Sequence, residues 1–166
     1  MSESGDDSDV AASGVPYVES PIIMTTVRVI IPFVFTFGLF VMFHGADSSG
    51  GGFQGGVIVG TVVLMLGIAF GIETTRDWVG PALPVALVGL GVLAFLATGV
   101  GSVVLGGGFL DYSAYDLKNS PIPLTKSFKY GIEFVELAIG LIVAGVVTGL
   151  FFIIAAGDRD GGGETA

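Results

Sequence analysis

The sequence predicts an all-α integral membrane protein: four transmembrane helices with a glycine-rich loop between the first and the second. Three observations carry this prediction. Of 166 residues, 52% are hydrophobic and only 13% charged, whereas a soluble domain carries roughly 25% charged residues. Mean hydropathy over the chain is +0.87. Four apolar runs approach the roughly 20 helical residues that cross a hydrocarbon core about 30 Å thick. None of them alternates with period two, and each far exceeds a common strand length, so strands are excluded.

The chain opens on an acidic tail, residues 1–20, with Glu3, Asp6, Asp7, Asp9 and Glu19 and no basic residue. Its composition predicts disorder. No basic segment or cleavage site precedes the first apolar run, which argues against a removable signal peptide. The other tail, 157–166, adds Asp158, Asp160 and Glu164 against Arg159. The two tails thus hold most of the formal net charge of −9, and the body is close to neutral. Acidic tails repel nucleic acid and anionic headgroups, so neither is an expected partner. They would suit life at high salt.

The first span is predicted at 22–43. Arg28 lies inside it, four residues before Pro32, and a helical proline there leaves the Arg28 carbonyl without its ladder donor. Two readings stand for Arg28: it faces a polar pathway, or its guanidinium snorkels to the interface.

"HGADSSGGGFQGG", residues 44–56, follows with six glycines. Gly50, Gly52 and Gly55 fit G-x-G-x-x-G, and Glu73 lies about 20 residues further on, as in a dinucleotide fingerprint. That fingerprint needs a strand before it and a soluble βαβ unit around it, and both flanks here are membrane-length runs. No lysine follows the glycines, so a phosphate loop fails as well. Glycine also permits positive φ and close backbone approach. Irregular backbone near membrane depth must be buried in protein or line a watery cavity. Gly50, Gly51, Gly52, Phe53, Gln54, Gly55 and Gly56 are therefore candidates for close packing against a neighbour; a plain exposed turn is the alternative.

The second span is predicted at 55–72 and the third at 82–105, joined by a short connector with Trp78 at an interfacial position. A longer connector, 106–130, holds Tyr112, Tyr115, Tyr130, Pro121 and Pro123 and is predicted to be an ordered interfacial loop. The fourth span, 137–156, has Thr148 as its only polar side chain. Pairs of small residues four apart (Gly56 and Gly60, Gly67 and Gly71, Ala97 and Gly101, Gly145 and Gly149) allow close helix approach in lipid and favour a subunit of a larger membrane assembly. Orientation is a tie, because Arg28, Arg76 and Arg159 balance Lys118, Lys126 and Lys129 on the opposite side.

With no cysteine and one histidine, thiol chemistry, disulfides and a His-rich metal site are excluded. No catalytic residue and no cofactor is expected. Glu133 and Glu136 share a helical face at i, i+3, and membrane carboxylates are candidates for proton or cation handling. Glu136 stands at the edge of the fourth apolar window and Glu133 a turn outside it, with Lys129 placed to pair with Glu133. A structural or interfacial role for both carboxylates stays open beside ion handling. His44 and Asp47 are expected to be solvated loop residues, with a proton relay through His44 as the alternative.

The stretch "SPIIMTTVRVIIPFVFTFGLFVMFHGADSSGGGFQGGVI", 20–58, resembles the opening of the MrpB (MnhB) subunit family of multisubunit Mrp-type sodium/proton antiporters. The family pattern is an apolar helix, His-Gly, a short polar stretch and Gly-Gly-Gly-Phe-x-Gly-Gly. It falls here on His44, Gly45, Gly50, Gly51, Gly52, Phe53, Gly55 and Gly56. "SPIPLTKSFKYGIEFVELAIGLIVAGVV" is similar to the family's last helix, and the likeness covers about residues 20–156. The family commonly has a proline just before the three glycines; Ser49 stands there, so that turn is looser.

The resemblance implies a small four-helix subunit of a hetero-oligomer in the cell membrane, working with other Mrp-type subunits and transporting Na+ and H+. Large antiporter-like subunits, related to respiratory complex I, would carry the main proton channels. The small ones would help to form the sodium path and hold the assembly together. The glycine loop would then be an inter-subunit packing element or part of a cation access route. The alternative is the equivalent subunit of a membrane-bound hydrogenase-like, complex I-related ion pump. A weaker third is a self-assembling channel. The chain lacks the paired half-helices or repeats of a complete transporter.

Overall fold

A computed structural model describes residues 20–45, 47, 50–115 and 124–160, with side chains described over 128–156 in the last stretch. The acidic N-terminal tail up to residue 19, Ser49, Lys118, Pro121, Pro123 and the end of the chain from 161 lie outside the described residues. Among the described residues five helices form: α1 (Pro21–Phe43), α2 (Gly52–Phe70), α3 (Ile72–Val79), α4 (Ala82–Val104) and α5 (Leu124–Asp160), with a 3-10 turn at Tyr112–Tyr115. Among the described residues four helices are long and apolar enough to cross a membrane: Pro21–Phe43, Gly52–Phe70, Ala82–Val104 and Phe128–Ala156. No strand occurs among the described residues. The chain is a multi-pass membrane protein.

Local chemistry explains the starts and breaks. Pro21 opens α1, where a missing N–H costs nothing. Gly71, at φ +88°, breaks the chain between α2 and α3. Hydroxyls inside the apolar helices are satisfied one turn back: Thr36 donates to the Pro32 carbonyl at 2.7 Å, Thr61 to Val57 at 2.8 Å and Thr98 to Ala94 at 2.9 Å.

Three differences from the sequence expectation matter. α2 begins at Gly52, so Gly52, Phe53, Gln54, Gly55 and Gly56 are helical and the irregular strap is shorter than predicted. In lipid an unbroken helix satisfies its own backbone, and this outweighs glycine's poor helix propensity. The connector after α2 contains an eight-residue helix, α3, polar enough in Glu73, Arg76 and Asp77 to lie outside the apolar runs. α5 starts well before residue 137 and runs through Asp160, so Glu133, Glu136 and the first residues of the predicted C-terminal tail are helical.

Packing contacts fix the helix directions. Gly38 faces Ile58 and Val59 while Gly55 faces Met42, so α1 and α2 are antiparallel. Gly52 meets Glu136, Gly56 meets Gly140 and Gly60 meets Val147, so α2 and α5 run parallel. Gly91 meets Ile142 and Gly145 meets Pro84, so α4 runs against α5. α5 is the central helix, with Ala138, Ala144 and Thr148 only 1%, 3% and 2% exposed. Lipid is as apolar as leucine, so close approach rather than withdrawal from water holds such a bundle together. At Gly56 a Cβ would lie 2.6 Å from the Gly140 carbonyl oxygen. Overpacking of that kind costs about 1–3 kcal/mol. The glycines of α2 and α5 thus serve contacts within this chain, and their spacing is not in itself a signal for partners.

Candidate functional site

The strap between α1 and α2 lies over the first half of α5. α1 ends at Phe43, and His44 caps it: its N–H donates to the Phe40 carbonyl at 3.1 Å, and its Nδ1 is 3.1 Å from the same oxygen. The imidazole stacks on the Phe40 ring at 4.2 Å. Asp47 N–H donates to the His44 carbonyl at 3.1 Å. Gly51, at φ +105°, turns the chain into α2, where the Gly55 N–H reaches its carbonyl at 3.0 Å.

Glu136 fills the space beneath. A Cβ at Gly51 would lie 2.7 Å from Glu136 Oε1, one at Gly45 would overlap Oε2, and one at Gly52 would overlap the Glu136 backbone carbonyl. The absence of side chains at Gly45 and Gly51 is what lets the carboxylate enter, and the absence of one at Gly52 lets the α2 and α5 backbones meet. The carboxylate lies against the chain at the start of α2. Oε2 is buried and has no hydrogen-bond partner among the described residues. An orphaned buried oxygen costs about 1–3 kcal/mol, and each such group in a folded protein calls for an explanation.

A cluster of charge borders this carboxylate. Lys129 Nζ pairs with Asp47 Oδ2 and stands 3.8 Å from Glu133 Oε1. The Lys129–Glu133 pairing expected from the sequence is present, and Asp47 is not the merely solvated residue expected there: it ties the strap to α5. Sequence spacing cannot announce a contact between residues 82 positions apart. The glycine-to-Glu136 contacts were beyond its reach for the same reason.

The side chains of the remaining candidates do not reach the Glu136 carboxylate. The Arg28 guanidinium is 5.0 Å from the centre of the Phe70 ring, at the far end of α2 from Gly52, about 27 Å away along the helix. Arg76 similarly covers Phe152 at 5.9 Å. His44 is exposed and packs on α1. Phe53 is 64% exposed and Gln54 is exposed, so both face away from this chain's interior.

The end of the bundle that carries the strap is also closed by the connector after α4. Tyr115 Oη donates to the Thr98 carbonyl at 2.5 Å, and Ser102 Oγ is 2.7 Å from the Gly108 carbonyl. Tyr112 packs on Gly131 and edge-on to Phe128. Its burial, with Tyr115 nearby, pushes the Tyr112 phenol above its ordinary pKa. Among the described residues no group of three or more His, Cys, Asp or Glu could hold a metal ion.

Comparison with known proteins adds to this geometry. Residues 22–149 match the family described as a domain related to the MnhB subunit of Na+/H+ antiporter. The chain is 29% identical over 125 residues to a Na+/H+ antiporter subunit of Bacillus subtilis, covering 75% of this chain and 85% of that one. It is also 29% identical over 143 residues, 84% of this chain and 97% of the other, to a Staphylococcus haemolyticus protein that carries the name of an mnhB2 antiporter subunit. With a Na+/H+ antiporter subunit of Alkalihalophilus pseudofirmus it shares 25% identity over 137 residues, 81% of this chain and 91% of that protein.

Proposed function

This chain belongs to the family of domains related to the MnhB subunit of Na+/H+ antiporters, and on that premise we propose that it lends a carboxylate, Glu136, to the cation path of such an antiporter. It is an MnhB-type subunit, a component of a transporter. Its partners are the other subunits of a Mrp-type hetero-oligomer, and the ions moved are sodium and protons. The chain itself performs no bond chemistry. The hydrogenase-like alternative is not favoured, since the matched relatives carry antiporter names.

One observation carries the role of Glu136: a carboxylate oxygen buried under a backbone cradle of Gly45 and Gly51, without a hydrogen-bond partner among the described residues. A buried carboxylate without a partner is costly, and a transported cation or proton is a group that relieves that cost. The strap has a second role in assembly. Phe53 and Gln54 point outward from the start of α2, beside the cradle, and offer a neighbouring subunit an aromatic ring and an amide.

A tagged chain drawn from its native membrane in gentle detergent tests the assignment. Large antiporter-like subunits without redox proteins are the expected company. Iron–sulfur or nickel subunits in the eluate would overturn it in favour of a redox-driven complex, and the chain alone would overturn both.

A further inference from the structure

Lys129 is shared between carboxylates of two different elements. Its Nζ pairs with Asp47 on the strap and lies 3.8 Å from Glu133, one turn along its own helix. Glu133 is in turn three residues from Glu136, on the same face of α5. Exposure falls along this series: the side chains of Asp47 and Lys129 are 54% and 43% exposed and that of Glu133 27%, while Oε2 of Glu136 is buried. The order leads from water to the orphaned oxygen.

A lysine ammonium carries the charge of a monovalent cation and competes for the same carboxylate oxygens. It is a compact point charge on a flexible stem, with three rotatable donors. We propose that Lys129 is a tethered plug at the aqueous mouth of the Glu136 site, occupying the place between Asp47 and Glu133 that an incoming sodium ion would take. This inference rests on Glu136 lying on the cation path. Exposed ion pairs are weak, so the ammonium can leave Asp47 for Glu133 and free one carboxylate without disturbing α5. The plug sets the apparent affinity for the cation.

The competing account is structural: the Asp47–Lys129 pair only ties the strap down. The two accounts differ in sign. Removing either partner breaks a tie equally, whereas removing the lysine adds attraction for a cation and removing the aspartate subtracts it.

The test is sodium-dependent antiport in everted vesicles carrying the whole antiporter, titrated with sodium. K129Q is expected to lower the sodium concentration for half-saturation by roughly three- to tenfold, and D47N to raise it by a similar factor. K129R, which keeps the charge, is expected to behave as the unaltered protein. Equal-direction shifts in K129Q and D47N, or no shift in either, would overturn the plug. E136Q measured alongside separates the layers: an active E136Q overturns the cation-path reading and the plug with it, whereas an inactive E136Q with K129Q and D47N moving together overturns the plug alone. If K129Q fails to assemble, sodium protection of Glu136 against carbodiimide labelling is measured in the D47N complex. Weakened protection supports the plug, and unchanged protection overturns it.

Discussion

The carbonyl oxygen of Glu136 lies where the Cβ of any larger residue at position 52 would have to be. Position 52 is thus fixed by the backbone of a helix 84 residues away, and the same contact sets how closely α2 approaches α5. Gly52→Ala forces the two backbones apart, because backbone, unlike a side-chain tip, has no rotamer to retreat into. A loss of about 1–3 kcal/mol is expected, read as a lower thermal midpoint of the purified chain in detergent. Gly89→Ala is the control. A Cβ there meets nothing within 4 Å, and the change is expected to be neutral or to stabilise by up to about 1 kcal/mol through helix propensity.

Phe53→Ala separates assembly from folding. With the ring 64% exposed, the isolated chain should unfold at an unchanged temperature, since exposed substitutions stay within about 0.5 kcal/mol. Recovery of partner subunits with the tagged variant should fall. Full recovery in a pull-down would remove Phe53 from the interface.

Tyr115→Phe tests the closure of the strap end. The lost hydrogen bond to the Thr98 carbonyl is expected to cost about 0.5–1.5 kcal/mol. Thermal unfolding should show it, with faster hydrogen exchange confined to residues near the 3-10 turn.

Asp111 gives a pH dependence with a defined sign. Ser113 donates to its carboxylate from Oγ at 2.6 Å and from N–H at 3.0 Å, and these bonds hold its pKa below the ordinary value. A carboxyl depressed in the folded state stabilises the turn above its unfolded pKa and loses that contribution as pH falls through the folded one. Protection of the Ser113 amide should therefore stay constant from neutral pH down to about 4 and decline only in stronger acid. Asp111→Asn should abolish that step.

Much of the fold was legible in the sequence because lipid imposes a simple rule: an apolar run long enough to cross must be a helix. α1, α2, α4 and the second half of α5 follow from it. The rule does not locate polar ends. The start of α2 was obscured because glycine usually breaks helices, and here Gly52, Gly55 and Gly56 are helical in order to let α5 and α1 approach. The first turns of α5 were hidden by Lys129, Glu133 and Glu136, which end the apolar window without ending the helix. The candidate site was half legible. Glu133, Glu136 and the glycines stood out by residue type, but Asp47 became part of the site only through Lys129, across a fold that no local pattern announces. Arg28 and His44 stood out by the same criterion of type, and the fold keeps Arg28 at the far end of α2 and His44 stacked on Phe40.

The most direct test of the central claim is sodium-dependent antiport in vesicles carrying Glu136→Gln, with assembly verified by co-purification of the partner subunits. Glutamine keeps the shape under the glycine strap and removes the charge. The expected result is an intact complex that no longer exchanges sodium for protons. Antiport at the level of the unaltered protein would contradict the account, leaving Glu136 a packing residue beneath the strap.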